Sequence, residues 1–381
     1  MEKSFIKWAG GKEKELSIIF SNIPRNYNRY IEPFVGGGSV YLNMNCKKSL
    51  INDKSDELIM LYNMVKNGNE EFIKKLNDIN HNWLLLEKIV QDHSDEWLEM
   101  YNNYAIRVNE LMNLKKIKMD YSDKIYDFVI SHSEEFNGIL KEHFNIKIDN
   151  FLYEVKKNIL SKITRMAKIE QKRGKMTNDN ILENIECALK SAFYMHFRYL
   201  YNNKKNLDIS DEFYCAIFYF IREYCYASIF RYNANGNFNV PYGGISYNRK
   251  DFSKKIKNLS SNKLKKYMSN TKVYNMDFED FCNTIQIDEN DFIFLDPPYD
   301  TEFSTYAKNE FAKEDQIRLK KFLKNTKAKF MLIIKNTDFI YNLYNESGFY
   351  IKSFDKKYLV SIKNRNDKDV KHLMITNYIL D

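Results

Sequence analysis

Short apolar runs that are followed directly by glycine or by an acidic residue stand near both ends of this chain, and they constrain its fold more than any other feature. The first run, residues 29–32, leads into a glycine-rich turn at residues 33–38, and residues 39–45 are predicted to begin a helix. A second run at residues 49–53 ends on an acid and is followed by apolar residues at helical spacing up to Gly68. A strand, a helix, a strand and a helix in this order are typical of a parallel sheet.

The same pattern returns in the last third of the chain, after a long stretch of different character. Residues 70–210 are polar, strongly charged and spaced as helices, with one apolar stripe formed by Phe151, Val155, Ile159, Ile163 and Met166. Strands are then predicted at residues 273–277, 292–295, 330–334, 350–362 and 372–378, with a helix at 313–323. We therefore predict one α/β sheet, mostly parallel with a C-terminal antiparallel strand, which is interrupted in sequence by a mainly helical inserted domain.

The composition limits the class of protein without choosing a function. The 381 residues carry 59 lysines and arginines against 51 acids, a net charge of +8, which favours a polyanionic partner without requiring one. The five cysteines are scattered and the six histidines show no metal-ligand spacing such as H-E-x-x-H, so neither a disulfide framework nor a metal site is expected. No signal peptide is apparent, and the most apolar stretch, residues 213–230, is broken by Arg222 and Glu223, so we expect a cytoplasmic protein without a membrane span.

The glycine turn at residues 33–38 is the first candidate for a ligand site, because glycines after a strand allow a close approach of the backbone to a bound molecule. Tyr41 occupies the third glycine position of the dinucleotide pattern G-x-G-x-x-G, and the phosphate-loop pattern G-x-x-x-x-G-K-[ST] is not met either. A cofactor with an adenosine but without a pyrophosphate suits such a turn. Asp53, at the end of the next strand, is then placed to accept hydrogen bonds from both ribose hydroxyls. The alternative, equally supported by this motif alone, is a tight turn followed by an aspartate that caps a helix.

The tetrapeptide Asp296-Pro297-Pro298-Tyr299 follows a hydrophobic strand and is the second candidate. Two prolines fix the backbone and remove two N–H donors, which leaves carbonyl oxygens as pure acceptors. An acid, a rigid carbonyl and an aromatic ring together can hold an exocyclic amine by its two hydrogens while the ring of the substrate stacks on Tyr299. The alternative is an ordinary proline-rich turn, which is much less favoured directly after a strand.

The segment at residues 231–244 is the third candidate, because an Asn-Gly pair between alternating residues indicates a hairpin. Arginine and asparagine side chains can contact guanine and adenine edges, and aromatic rings can stack or wedge. By itself, a surface hairpin without a partner is the better interpretation. Basic clusters at residues 172–175, 204–205 and 254–257 favour phosphate contacts in the same insertion, although any one of them is more simply a solvated face.

Taken together, four motifs resemble those of Dam-type DNA adenine methyltransferases, in the order found in the alpha group of amino-methyltransferases. They are the opening motif at residues 5–12, the cofactor motif at 32–40, the recognition segment at 231–233 with 238–243, and the catalytic motif at 296–299. The resemblance implies a Rossmann-like methyltransferase sheet, S-adenosylmethionine as the cofactor and double-stranded DNA as the substrate. It covers both ends of the chain and residues 223–247, but it does not clearly cover residues 70–210.

The resemblance also implies roles for individual residues. Asp296, Pro297, Pro298 and Tyr299 are expected to act in catalysis, and Asp296 is also expected to lie beside the cofactor. The other expected cofactor-binding residues are Trp8, Lys12, Glu32, Pro33, Phe34, Gly36, Gly38, Asp53, Asp277 and Phe278. The expected DNA-binding residues are Lys7, Arg231, Asn233, Asn237, Asn239, Pro241 and Tyr242. Residues 1–68 and 270–381 are expected to form the catalytic domain, and residues 69–269 the insertion, with the recognition hairpin near 231–247.

We therefore predict a site-specific DNA adenine-N6 methyltransferase that acts on a flipped-out adenine, in a restriction-modification or epigenetic marking role. A companion restriction endonuclease is an expected partner, and a monomer is the expected assembly, with a dimer as the alternative. The recognised DNA sequence stays open, because residues 226–230 replace the Asn-Gly that members of the family often have before the recognition arginine. Alternative functions are an amino-methyltransferase that acts on RNA adenine or on a protein amide, and a catalytically silent DNA-binding relative. An NAD-dependent oxidoreductase is disfavoured by the failed glycine pattern.

Overall fold

A computed structural model of the chain describes residues 3–8, 10–110, 113–136, 146–298, 311–357 and 369–380. The chain forms two compact units. The first consists of Met1–Asn69 and Asn258–Asp381, and the second of Glu70–Lys257. The second unit is therefore inserted, in sequence, into the first.

The described residues contain seven strands, all of them in the first unit. They are β1 (Tyr30–Glu32), β2 (Ser49–Asn52), β3 (Thr271–Tyr274), β4 (Phe292–Leu295), β5 (Lys329–Lys335), β6 (Tyr350–Lys357) and β7 (Asp369–Thr376). They form one sheet in the order β3-β2-β1-β4-β5-β7-β6. Neighbours from β3 to β5 pair in parallel, whereas β7 is antiparallel to both β5 and β6. The predicted parallel sheet with a C-terminal antiparallel strand is confirmed.

The helices of both units are numbered in chain order. They are α1 (Leu16–Ser21), α2 (Asp56–Asn67), α3 (Glu70–Asp92), α4 (Ser94–Asn109), α5 (Leu114–Ser131), α6 (Ile148–Arg173), α7 (Asn178–Asn202), α8 (Asp211–Tyr224), α9 (Phe252–Leu259), α10 (Asn262–Met268), α11 (Phe278–Thr284), α12 (Lys313–Asn325) and α13 (Asp338–Tyr344). Short 3-10 helices lie at Tyr41–Asn43, Tyr226–Ser228 and Ile245–Tyr247. None of the helices in the described ranges combines the length and the apolar character that a bilayer-spanning helix requires.

The central strands of the sheet are buried almost completely. Every residue of β1 and β4 is buried, and so are the middle residues of β5. Parallel strands that are covered on both faces appear in sequence as continuous apolar runs, which is why β4 and β5 were predicted within one residue of their bounds. Leu319 and Leu323 of α12 belong to the apolar core on one side of these strands.

Residues 39–45 do not form the predicted helix. Only Tyr41–Asn43 adopts a helical turn, of the 3-10 type, and Met44 is already extended, with ψ at 140°. The hydroxyl of Tyr267 lies within hydrogen-bond distance of the carbonyl oxygens of Tyr41 and Met44, and it is 3.0 Å from the Met44 oxygen. The Tyr41 carbonyl also accepts the backbone N–H of Met44 at 3.1 Å, the i to i+3 bond that closes this single turn.

The predicted strand at 273–277 begins earlier and is shorter. β3 ends at Tyr274, and the backbone N–H of Met276 donates to the side-chain oxygen of Asn52 at 3.1 Å. Asp277 is the N-cap of α11, because its carboxylate accepts the N–H of Glu279 at 3.0 Å. A residue that caps a helix cannot also continue a strand.

The boundary between the units differs from the predicted one at residue 270, because residues 258–269 belong to the first unit. The ring of Tyr267 packs against that of Tyr41, with centroids 5.3 Å apart. The Lys265 side chain lies over Gly68, where an added Cβ would be 2.7 Å from the Lys265 Nζ. Lys265 and Tyr267 thus contact the end of α2 and the segment after the glycine turn, both of which belong to the first unit.

The second unit is mainly helical, as predicted for residues 70–210. The apolar stripe of α6 is buried throughout. Trp83 of α3 is 1% exposed and stands at the centre of an aromatic core. Its ring centroid lies 4.5–5.9 Å from those of Phe193, Phe220, Tyr224 and Tyr242.

A buried histidine gives this unit a pH dependence. His196 of α7 is 2% exposed, and its Nδ1 lies 3.1 Å from the side-chain nitrogen of Asn150. Burial lowers the pKa of His196 to about 4. As the pH falls below 6.5, the His196 side chain becomes protonated in the unfolded chain before it does so in the folded protein. The free energy of unfolding is therefore unaffected by this group above pH 6.5 and decreases as the pH falls towards 4. At pH 5 the loss from this group is expected to be about 2 kcal/mol.

The measurement is the free energy of unfolding in urea at pH 7 and at pH 5, for the wild type and for His196→Gln. The difference between the two pH values is expected to be smaller in the variant, because glutamine does not titrate. The exposed His81 on α3 offers the matched control, His81→Gln, which should keep the wild-type difference. An equal loss in wild type and His196→Gln would contradict the assignment.

Candidate active site

Four neighbouring parallel strands each bring an acidic residue to the same end of the sheet. Glu32 is the last residue of β1, Asp53 and Asp296 directly follow β2 and β4, and Asp277 lies shortly after β3. Open α/β sheets bind their ligands at the carboxyl ends of the strands. All four acids were predicted as site residues, and the parallel register explains why they lie at one end.

The glycine turn between β1 and the following 3-10 helix is fixed by contacts on several sides. Gly36 and Gly38 have φ values of +49° and +72°, a region that glycine adopts without strain. A Cβ at Gly38 would lie 2.4 Å from the hydroxyl of Tyr62, and one at Gly36 would lie 2.9 Å from Cδ1 of Trp8. The Tyr62 hydroxyl donates to the carbonyl of Gly36 at 3.0 Å. The turn therefore packs closely against both α2 and the opening motif.

Asp53, which was predicted to bind a ribose, holds the glycine turn in place. Its carboxylate accepts the backbone N–H of Gly36 at 3.0 Å through one oxygen and that of Ser55 at 3.0 Å through the other. Burial raises the pKa of Asp53, and the backbone hydrogen bonds oppose that rise. A carboxylate oxygen can accept more than one hydrogen bond, so these contacts are compatible with a ribose as a further donor.

Asn52 is a positioning residue that the sequence analysis missed. Its side chain is buried, and its amide donates to the carbonyls of Pro33 and Met276, both at 3.0 Å. Its side-chain oxygen accepts the N–H of Met276. One side chain thus joins the ends of β1, β2 and β3. The sequence did contain a signal for this role, because Asn52 is a polar residue at the end of the short strand at residues 49–52. A buried side-chain amide needs hydrogen-bond partners, so such a residue is expected to connect neighbouring segments.

A buried ion pair lies at the centre of the site. Lys12 is 2% exposed, and its ammonium group contacts Oδ1 of Asp296 and donates to the carbonyl of Gly10 at 3.0 Å. Lys12 was expected to line a cofactor pocket, and the structure shows that it also holds the acid of the catalytic motif. This ion pair therefore connects the opening motif at residues 5–12 with the motif that follows β4.

Glu32 lies close to this pair and is itself buried. The Tyr30 hydroxyl donates to its Oε2 at 2.7 Å. Burial raises the pKa of Glu32 well above its usual value, and the negative charge of Asp296 adds to the rise, while Tyr30 and Lys12 oppose it. Glu32 is therefore held towards its neutral, protonated form. The positive charge of Lys12 then pairs with Asp296 and not with Glu32.

The catalytic motif is described as far as Pro298. Pro297 is buried and Pro298 is exposed. The side-chain amide of the fully buried Gln316 lies 3.4 Å from the Pro298 carbonyl. Tyr299, and the segment at residues 301–309 that follows it, lie outside the described residues.

Asp277 is bound by an arginine that the sequence analysis did not single out. Arg318 of α12 donates to both of its carboxylate oxygens, at 3.1 and 3.2 Å, and also contacts Glu279 and Asp315 at 2.7 Å each. Although burial opposes the change, the Arg318 hydrogen bonds lower the pKa of Asp277. Asp277 therefore has a clear structural role at the start of α11.

Phe278 and Phe34 form an apolar wall next to these acids. The Phe278 ring lies 5.4 Å from that of Phe34 and 5.7 Å from that of Phe311. The Phe34 and Phe311 rings are 5.5 Å apart, edge to face. Flat aromatic surfaces of this kind suit the face of a purine.

The hairpin predicted near residues 231–247 forms in the second unit. Tyr232 and Phe238 form an antiparallel bridge, and the side-chain oxygen of Asn233 accepts the N–H groups of Asn235 and Asn237, at 3.0 Å each. Arg231 donates through Nε to the side-chain oxygen of Asn239 at 3.1 Å. Arg231, Asn233, Asn237 and Pro241 are exposed, and Asn239 is half-buried. Lys7, the DNA-binding residue predicted in the first unit, is also exposed.

Tyr242 was predicted to contact DNA, but it is 7% exposed and belongs to the core of the second unit. Its hydroxyl donates to the side-chain oxygen of Asn248 at 2.7 Å, and its ring packs against Trp83 and Tyr194. A side chain with these contacts supports the hairpin from below, so we do not include it among the proposed DNA contacts.

Residues 226–230, which precede the recognition arginine predicted at position 231, have an unusual backbone. Ala227 and Ser228 have φ values of +52° and +55°. Residues with a Cβ pay for this conformation, whereas glycine adopts it freely. Ser228→Gly is therefore expected to stabilise the protein by about 0.5–1 kcal/mol, measured as the free energy of unfolding in urea.

Ser246, an exposed serine in the neighbouring 3-10 helix, provides the matched control. Ser246→Gly should be neutral or destabilising, because glycine there only adds freedom to the unfolded chain. Equal effects of the two substitutions would show that the positive φ values carry no strain.

A mostly parallel sheet with an antiparallel strand near its C-terminus, a glycine turn after β1 and carboxyl groups at the strand ends define the class of α/β proteins with a methyltransferase fold. The family model of the D12 class N6 adenine-specific DNA methyltransferases matches residues 8–186 and 148–360. These stretches cover most of the chain, and the chain belongs to this family. Its function is therefore the methylation of adenine in DNA at N6.

Relatives agree with this assignment. The chain is 28% identical to the type II methyltransferase M.MjaIII of Methanocaldococcus jannaschii over 396 residues, which cover 99% of each chain. It is 26% identical to the type II methyltransferase M.CviBI of Paramecium bursaria Chlorella virus NC1A over 381 residues, 99% of this chain and 100% of the relative. The DNA adenine methylase of Escherichia coli strain K12 is 38% identical over 77 residues, 20% of this chain and 27% of the relative.

Proposed function

We propose that this protein transfers a methyl group from S-adenosylmethionine to the N6 amine of an adenine that is flipped out of duplex DNA, with Asp296 as the acceptor of an amine hydrogen. The observation that carries the proposal is the Lys12–Asp296 ion pair at the carboxyl end of β4. It fixes an acid at the end of the sheet where the glycine turn and the other acids lie.

The residues at this end fit such a cofactor by their chemistry. S-adenosylmethionine carries a sulfonium cation and two ribose hydroxyls, and it has no phosphate. Asp53 would accept hydrogen bonds from the ribose, Phe34 and Phe278 would flank the adenine, and Trp8 would lie at the glycine turn. The turn needs no phosphate-binding lysine, because this cofactor carries no phosphate.

When bound, S-adenosylmethionine supplies an activated methyl group, so the protein contributes position and electrostatics. Asp296 and the Pro297 carbonyl would accept the two hydrogens of the adenine amine. Such contacts favour a pyramidal nitrogen whose lone pair is no longer delocalised into the ring. Lys12 holds the carboxylate in one orientation through Oδ1. Asp296 need not be a strong base, because the amine loses a proton more readily once it is methylated.

The target amine is out of reach inside a duplex, so the adenine must leave the stack, which costs a few kcal/mol. Stacking on Tyr299 is proposed to return about 1–3 kcal/mol of this cost. In the second unit, Arg231, Asn233, Asn237, Asn239 and Pro241 are the proposed DNA contacts, and Lys7 is the proposed contact in the first unit. Hydrogen bonds from arginine and asparagine to base edges would then determine the recognised sequence.

The relatives with full-length similarity are named type II methyltransferases, which supports a restriction-modification role with a companion endonuclease. We propose a monomeric enzyme, since one chain carries the complete set of motifs. Expression in cells without adenine methylation, followed by long-read sequencing of their DNA, tests the activity and reveals the recognised sequence together. Purified protein with labelled S-adenosylmethionine and that duplex then tests the cofactor. DNA in which every adenine stays unmodified would overturn the proposal.

A further inference from the structure

Two histidines and two glutamates meet on the surface of the second unit, away from any motif discussed above. His93 is the N-cap of α4 and Glu96 lies in its first turn, while His132 is the C-cap of α5 and Glu135 follows it. The sequence contains the same short pattern twice, His-Ser-acid-Glu at residues 93–96 and 132–135. No metal site was expected from the sequence, because these four residues show no local ligand spacing and come together only through the packing of α4 and α5.

The two imidazole rings face each other and share both carboxylates. Their centroids are 3.9 Å apart, with 41° between the ring planes. Glu96 lies on one side, with Oε1 at 3.1 Å from Nδ1 of His93 and Oε2 at 3.3 Å from Nε2 of His132. Glu135 lies on the other side, with Oε1 at 2.8 Å from Nε2 of His93 and 3.5 Å from Nδ1 of His132. Each ring therefore directs one nitrogen towards Glu96 and the other towards Glu135.

This cluster offers the imidazole nitrogens and the carboxylate oxygen that a zinc ion takes as ligands. Zinc–ligand bonds of about 2.0–2.2 Å in a tetrahedron place neighbouring ligand atoms about 3.4 Å apart. The nitrogen–oxygen distances around Glu96 are 3.1 and 3.3 Å, and His93, Glu96 and His132 each offer a ligand atom within 4.8 Å of the others. A histidine that binds a metal usually donates its other N–H to a carboxylate, which fixes its tautomer and orientation. Glu135 is in that position for His93.

The rings are also held by the core beneath them. Phe128 of α5 is 4% exposed, and its ring centroid lies 5.6 Å from that of His93 and 4.5 Å from that of His132. Trp97, which is buried in α4, packs on the same phenyl ring at 4.1 Å. Glu96 has a side chain that is 53% exposed, so solvent and an ion reach the site directly. The ligands are thus preorganised on rigid helix ends, with one open side.

We infer that the second unit binds one Zn²⁺ ion through Nδ1 of His93, Nε2 of His132 and the Glu96 carboxylate, with Glu135 as the orienting partner and water as the fourth ligand. The ion would join the junction of α3 and α4 to the end of α5. None of these residues belongs to the proposed methyl-transfer site.

The test uses full-length protein without a histidine tag, stripped with a chelator, then titrated with Zn²⁺ by calorimetry and with Co²⁺ by visible spectroscopy. One Zn²⁺ per chain is expected, together with the intense visible bands of tetrahedral Co²⁺. Binding should fall below detection in His132→Ala and in Glu96→Gln, and it should weaken about 10–100-fold in Glu135→Gln. The exposed His81→Ala on α3 is the matched control and should bind like the wild type.

Glu96→Gln keeps the test valid if a histidine variant misfolds, because this half-exposed side chain can change without altering the core. Circular dichroism and thermal melting of each variant show whether the fold is retained. Wild-type protein that binds no Zn²⁺, or binding that is equal in wild type, His132→Ala and Glu96→Gln, would overturn the inference. The four groups would then form a set of histidine–glutamate ion pairs only.

Discussion

Replacing Asp296 by asparagine is expected to lower the rate of methyl transfer to DNA by about 10²–10³-fold or more, while the affinity for DNA stays within a few-fold of the wild type. Asparagine has nearly the same shape and keeps an oxygen for Lys12, so the fold is preserved. It lacks the negative charge that would accept a hydrogen from the adenine amine and favour its reacting form. Asp296→Ala, which removes both oxygens, is expected to abolish turnover.

The measurement is the single-turnover rate with labelled S-adenosylmethionine and a duplex that contains the recognised sequence, together with DNA binding by fluorescence anisotropy. Asp280→Asn changes an exposed acid on α11 of the same unit and should methylate normally. If Asp296→Asn transfers methyl groups at the wild-type rate, Asp296 is not the acceptor and the proposed chemistry is wrong.

Replacing Lys12 by methionine is expected to destabilise the protein by about 3 kcal/mol. The substitution leaves the Asp296 carboxylate without its cation in a largely buried position, next to Glu32. The exposed Lys14 on the same segment provides the comparison, since Lys14→Met removes the same charge from the surface and should change stability little. Urea unfolding of the three proteins measures the difference.

The double variant Lys12→Met with Asp296→Asn separates charge from packing. Because neither charge is left, most of the lost stability should return, whereas methyl transfer should not. A double variant that is as unstable as the sum of the two single variants would show that the pair does not interact. In that case Lys12 would stabilise the opening motif by packing alone.

Much of the fold and site was predictable because it depends on neighbours in sequence. The glycine turn, the buried strand before Asp296 and the hairpin at residues 231–244 are each local patterns with a direct physical reason. The parallel sheet then places Glu32, Asp53 and Asp296 at one end without further information. These features required only the residue types and their spacing.

The parts that were missed depend on contacts between distant segments. Arg318 reaches Asp277 across 41 positions, Asn52 joins Met276 across 224, and His93 meets Glu135 across 42. The burial of Tyr242 depends on Trp83, which belongs to another helix. The sequence alone does not show whether an aromatic residue beside a turn, such as Tyr242, is exposed for recognition or buried beneath the hairpin.

The position of the second unit between α2 and β3 has a consequence for the synthesis of the protein. β3 pairs with β2 from Ser49 with Thr271 to Asn52 with Tyr274, but the whole second unit separates the two strands in the chain. On the ribosome, the contiguous helical unit can fold while the sheet is still missing its remaining strands. A nascent chain that already contains the folded residues 231–244 therefore still lacks β4 and Asp296, and methylation of DNA has to wait until translation has finished.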